Sequence, residues 1–184
     1  MNILNDFIKL LVGNFDNSEQ IEILKSKDIT NFPLAKHVNN ICTNKITDLP
    51  NDFKGIFLLE ESYYLTKGHT TYSPHLFLFT EEGENIKLTS FEIPEGYKKS
   101  TFTYDNFKEM KYSDLTLSKR FTPAIYKKIN GVWEGGSVSM FSPTLKFTLL
   151  ERFSEEQLEV SETMEENSRR IFGFDEPIIY KRII

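Results

Sequence analysis

Two stretches of this 184-residue chain hold side chains able to do chemistry together. Glu60, Glu61 and Tyr63 fall within one apolar run, and Tyr72 and His75 open the next. In an extended strand, alternation puts Glu61 and Tyr63 on one face and Glu60 on the other. Polar groups set among Phe57, Leu59, Phe77 and Phe79 are what a ligand-holding cavity needs, namely apolar walls with a few placed donors and acceptors. The same pattern equally describes solvent-facing glutamates beside core tyrosines with wetted hydroxyls. Other chemistries lack their signatures. The chain has no Gly-rich phosphate loop, no Gly-x-Ser-x-Gly and no His-Glu-x-x-His. His37, His69 and His75 lie far apart in sequence, so no metal is expected. Cys42 is the only cysteine, which excludes an intrachain disulfide and a Cys-based zinc site; it reads as a buried structural thiol.

Composition narrows the partners. Lys and Arg total 22 against 27 Asp and Glu, a net charge of -5, and the pI is about 5.3. That balance carries no global footprint for nucleic acid. No apolar run reaches the ~18 residues of a membrane helix. The N-terminus lacks a basic region and a small-residue cleavage site, so a cytoplasmic protein is expected. Sixteen Phe and eight Tyr against two Ala, Ala35 and Ala124, favour strands over helices.

The elements that must position these residues follow from periodicity. Ile3, Leu4, Phe7, Ile8 and Leu11 share one helical face that ends at Gly13. A second helix starts after Asn17, an N-cap with Gln20 reaching back, and runs to about Lys27. Strands are expected at His37–Asp48, Gly55–Leu65, Thr71–Thr80 and Asn85–Ile93. A weak helix is expected around Tyr104–Met110. Asn130-Gly131 then demands a type I′ hairpin, with Lys128 opposite Trp133 and Lys127 opposite Glu134. Further strands are expected at Ser137–Phe141, Thr144–Phe153, Gln157–Ser161 and Pro177–Ile183. Thr163-Met164-Glu165-Glu166 reads as a capping box opening a short helix to Gly173. The expected architecture is a single all-β domain over residues 1–184: an antiparallel barrel of at least eight strands with two N-terminal helices and no parallel sheet. The run 56–65 is apolar on both faces, and the helices are expected to cover its outer one.

Certain residues in this frame carry a family resemblance. Gly13-x-Phe15-x-Asn17-x-x-Gln20 opens the chain. His37 follows, then Leu59-Glu60-Glu61-Ser62-Tyr63 and Tyr72-Ser73-Pro74-His75. The chain closes with Trp133-x-Gly135, Ile171-Phe172-Gly173, Pro177 and Tyr180-Lys181-Arg182. In order and spacing, over residues 7–182, this set resembles the T-type (CpcT/CpeT) phycobiliprotein chromophore lyases. The resemblance implies a calycin or lipocalin-like barrel, usually dimeric. It implies an open-chain tetrapyrrole, a bilin such as phycoerythrobilin, held in the barrel and delivered to a cysteine of a phycobiliprotein β-subunit. The chain departs from the family where Glu61 replaces a Gln, Ser73 and His75 replace arginines, and Phe172 replaces a Trp.

On that reading Glu61 and Glu162 are the candidate catalytic carboxylates, placed to stabilise a protonated chromophore. Tyr63 and Tyr72 would pack on the rings or bond a lactam oxygen. His75 would meet a propionate, His37 belongs to the binding set, and Trp133 is expected at the opening or the surface. Two rival readings are a lipocalin-like carrier of another hydrophobic molecule and an interaction barrel with a filled core. A homodimer is expected, so light scattering at micromolar concentration should give twice the 21.5 kDa chain mass; the single-chain mass would refute it.

Overall fold

The computed structural model describes residues 2–183. Helix α1 (Ile3–Leu11) starts where the Asn2 side chain accepts the Asn5 N–H at 3.1 Å. It leads into β1 (Gly13–Asp16), then α2 (Ser18–Ser26), β2 (Leu34–Ile41) and β3 (Ile46–Thr47). The long central strands are β4 (Ile56–Thr66), β5 (His69–Glu82) and β6 (Asn85–Phe91). After β7 (Met110–Lys111) come β8 (Ala124–Ile129), β9 (Val132–Met140), β10 (Leu145–Phe153), β11 (Leu158–Glu166), β12 (Arg169–Phe172) and β13 (Ile178–Ile183).

Ten of these strands close an antiparallel barrel in the order β10-β9-β8-β6-β5-β4-β2-β1-β13-β11, with β11 pairing back onto β10. β12 extends the ladder along the upper part of β11. The Asn130-Gly131 hairpin has the expected register, both residues at positive φ. No described helix is long and apolar enough to cross a membrane.

Helix α1 fills the base of the barrel. Phe7 is fully buried, with its ring centroid 4.9 Å from Phe153, 5.0 Å from Trp133, 5.3 Å from Tyr126 and 5.5 Å from Phe79. Leu4, Ile8 and Leu11 complete the apolar face. Both helix ends are held by strands. Glu81 accepts the Leu4 N–H at 3.2 Å, and the Arg182 guanidinium donates to the carbonyls of Lys9, Leu10 and Val12. An acid at the N-terminus and a base at the C-terminus both suit the helix dipole.

Several sequence expectations are corrected. The N-terminal helices do not cover the outer face of β4. That cover is the segment 92–119, whose Tyr97, Phe102, Tyr104, Phe107 and Tyr112 pack over Phe57, Leu59, Leu76 and Leu78. The expected helix at Tyr104–Met110 is instead turns within this cover, because its aromatics are spent on the sheet rather than on a helical face. A two-residue parallel pair, β3 with β7, ties the cover down, so parallel pairing is present outside the barrel. The expected helix at 163–173 is the β11–β12 hairpin: Asn167 and Ser168 both take positive φ, and Thr163 and Met164 pair with Thr148 and Phe147. Residues 137–140 continue β9 instead of forming a new strand, and Phe141 lies in the bend after it. β1 was not expected. It pairs with β2 and β13, and the expected side-chain cap of α2 is absent: the Asn17 amide accepts the Ala35 N–H at 2.7 Å and donates to the Pro33 carbonyl at 3.0 Å, while the Asn17 N–H donates to the Ala35 carbonyl instead of to Gln20. Trp133 is 1% exposed, packed on Phe7, and lies neither at the surface nor at an opening.

Gly136 sits where β9 bends between β8 and β10, at φ +155°. A Cβ there would overlap the Leu149 carbonyl oxygen. Gly136→Ala is expected to cost at least about 2 kcal/mol and to lower Tm by roughly 4–8 °C in a thermal melt. An unchanged Tm would show that the bend tolerates a side chain.

Candidate functional site

Above the α1 plug the barrel keeps an open lumen of about 410 Å³. That lies within the ~300–1,000 Å³ typical of small-molecule sites. Phe77, Phe79, Phe121, Phe141 and Phe147 form much of its wall, with Leu58, Leu149 and Val160. The inward positions of β4 and β5 are the even residues 58, 60, 62 and 64 and the odd residues 73, 75, 77 and 79. The outward positions are the complement.

This alternation parts the sequence candidates. Glu61, Tyr63 and Tyr72 lie on the outer face, beneath the cover. Glu61 is 7% exposed and accepts from the Tyr63 hydroxyl at 2.8 Å and the Tyr104 backbone N–H at 3.0 Å. Tyr72 donates to the Phe102 carbonyl at 2.6 Å, and its ring lies 4.9 Å from that of Tyr63. Burial, with Glu61's bond and charge, pushes the Tyr63 hydroxyl up to about 12 and Tyr72 higher than its ordinary value. The group fastens the cover to the barrel. Cys42 is wholly buried nearby, its thiol pushed up to about 12 by that burial, which leaves it a poor nucleophile. His69 stands exposed at the β4–β5 turn.

His37, His75 and Glu162 do meet in the lumen, joined by Glu60, which alternation had placed on the face opposite Glu61, and by Glu151, which sequence patterning did not single out. Glu60 stands 3.6 Å from His37 Nδ1 and accepts the Ser62 hydroxyl at 2.9 Å. Tyr180 and His37 Nε2 share a hydrogen bond at 3.0 Å, and Ser73 and His75 Nε2 one at 3.1 Å. Tyr64 donates to Glu162 at 3.3 Å, and Tyr126 donates to Glu151. Glu162 and Glu151 are open to the lumen but enclosed by the barrel. That enclosure raises Glu162 to about 7, reinforced by Glu60's charge, and Glu151 to about 8. It also lowers both imidazoles, more strongly than Glu60's charge raises them, and so favours neutral rings. Gly173 packs against the Glu162 backbone at φ +102°, where a Cβ would overlap the Glu162 carbonyl oxygen.

Two buried atoms of lumen-lining residues have no partner, His37 Nδ1 and Asn39 Oδ1. Among the described residues no group of three or more His, Cys, Asp or Glu could hold a metal ion.

The site suits an apolar molecule with hydrogen-bond donors. The chain matches no protein-family model. It matches no curated protein either.

The raised carboxyls make a pH signature. In the unfolded chain they ionise near 4.5. In the folded protein they hold their protons up to about 7 and about 8. Raising the pH through this window therefore takes protons from the unfolded state first and lowers stability. Glu151→Gln, which keeps an acceptor for Tyr126, should gain on wild type by of the order of a few kcal/mol between about pH 5 and about pH 8. Urea midpoints across that range measure it; a pH-independent difference would refute a buried, protonated Glu151.

Proposed function

We propose that the lumen binds an open-chain tetrapyrrole of the phycoerythrobilin type and presents it to a phycobiliprotein β-subunit cysteine. The observation that carries this reading is the enclosed aromatic lumen into which Glu60, Glu151 and Glu162 project. Flat conjugated rings suit the phenylalanine wall. Pyrrole N–H groups suit carboxyl acceptors, and a carboxylate beside them favours the protonated chromophore. The collinear resemblance over residues 7–182 supports the same ligand class. Attachment is an addition. The partner's thiol S–H adds across the bilin's exocyclic vinylidene C=C, sulfur going to the outer carbon and the proton to the ring carbon, with no leaving group and no redox change. The lyase's part is to shield that carbon from water and stray thiols until the partner docks, so it needs no cysteine of its own.

A second reading, a carrier without transfer activity, is favoured by one observation. Where the resembling family carries arginines, Ser73 bonds His75, and burial holds that imidazole toward neutrality.

Titration with phycoerythrobilin tests both. A barrel that extends and rigidifies the bilin should move its visible absorbance to longer wavelength and raise the peak. Glu162→Gln should weaken binding by roughly tenfold or shift the spectrum. Glu61→Gln, outside the lumen, should lower Tm yet leave the spectrum of the folded protein unchanged. No spectral change with wild type would remove the bilin reading; a bound bilin never transferred to β-subunit would select the carrier.

A further inference from the structure

The lumen has an electrical direction that the bilin reading does not use. Its acids Glu60, Glu151 and Glu162 lie among the inward residues, and its imidazoles favour the neutral form. Among the described residues, Arg120 and Lys99 are the only lysine or arginine side chains that line it, and both are exposed. Neither comes from a barrel strand. Arg120 lies in the connection to β8, and Lys99 in a 3-10 turn of the cover, Lys99–Thr101, that packs on β5.

Arg120 is held in place. Its guanidinium carbon sits 4.1 Å from the Phe141 ring centroid. Phe141 stacks on Phe147 at 5.6 Å and meets the edge of Phe121 at 5.2 Å. The backbone on either side is tied to the barrel: the Ser118 N–H donates to the Ser90 carbonyl at 2.9 Å, and the Thr122 N–H to the fully buried Ser139 hydroxyl at 2.9 Å. A guanidinium resting on an aromatic face keeps its edge N–H groups available for a carboxylate. Neither Arg120 nor Lys99 forms an ion pair among the described residues. The exposed Glu176 is the one further acid lining the lumen.

We infer that Arg120 and Lys99 form an anion clamp that receives the carboxylate end of an apolar ligand, so that the ligand enters body first. Glu60's charge, with any ionised fraction of Glu151 and Glu162, repels a carboxylate inside; two exposed cations attract it. The inference holds for any apolar carboxylate. Applied to a bilin, it assigns the propionates to Arg120 and Lys99 rather than to Ser73 and His75. A fatty acid presents the same chemistry with a saturated chain.

The test compares free acids with their methyl esters, which keep the apolar body and remove the charge. Phycoerythrobilin and its dimethyl ester are titrated by absorbance, and dodecanoate and its methyl ester by calorimetry. Wild type should bind the free acid roughly tenfold more tightly than the ester, a preference that high salt reduces. In the exposed double variant Arg120→Gln, Lys99→Gln the preference should shrink to roughly twofold with Tm unchanged. Lys87→Gln, outside the lumen, should keep it. Bilin and ester binding equally to wild type would overturn the clamp and leave the bilin reading standing. Acid-selective dodecanoate binding with no bilin binding would do the reverse. Binding of none of the four probes, or a preference that survives in the double variant, would overturn the clamp.

Discussion

The structure depends on how a ten-stranded barrel is filled. Eight strands enclose an interior that side chains can just fill, and each further strand widens it. Here the inward side chains cannot meet across the whole interior, so a helix takes up the lower part. Phe7 is the residue through which this happens. Its ring touches four aromatic rings from β5, β8, β9 and β10, which makes it the hub of the base. Replacing such a ring by alanine typically costs about 3–5 kcal/mol. Everything above α1 is left over, and the lumen is that remainder. Its depth is set by the length of one nine-residue helix.

The lumen's chemistry follows from its enclosure. Acids that reach into a space bounded by phenylalanine and leucine lose water before they gain a partner. Tyr64 and Tyr126 supply one hydrogen bond each, which is too little to hold Glu162 and Glu151 in the ordinary carboxylate range. The lumen therefore offers a ligand two carboxyls whose ionisation a positive or donating group would favour. The same enclosure favours neutral rings for His37 and His75. The lysine and arginine charge at the lumen is confined to the exposed Arg120 and Lys99.

Much of this was legible in the chain, and the failures have identifiable causes. The α1 periodicity, the Asn130-Gly131 hairpin and the long strands came through because each is a local pattern. Strand alternation separated Glu60 from Glu61 correctly, but alternation alone does not say which face is the inside. Both faces of 56–65 are apolar, since the outer one is buried under the cover, and Glu61 and Tyr63 therefore passed for lumen residues. The cover itself gives no periodic signal; its aromatics reach the sheet from turns. Thr163-x-x-Glu166 matches a capping box, yet the pairing of β11 with β10 across nine registered positions overrides the local preference. Trp133 looked exposed because its neighbour Lys128 is. Its ring instead faces the barrel's base, in the core cluster that Phe7 of α1 joins.

The contact between Arg182 and the end of α1 also bears on how the molecule is made. It joins residues 173 apart, and the pairing of β1 with β13 closes the barrel across nearly the same span. Such closure carries the entropy cost of a very long loop and is disfavoured until most other contacts exist. During synthesis α1 emerges long before β13. The apolar face of α1 must then wait, unsealed, while the 173 residues up to Arg182 are synthesised. A growing polypeptide in that state exposes Leu4, Phe7, Ile8 and Leu11 together, a surface on which a chaperone can act before the barrel exists.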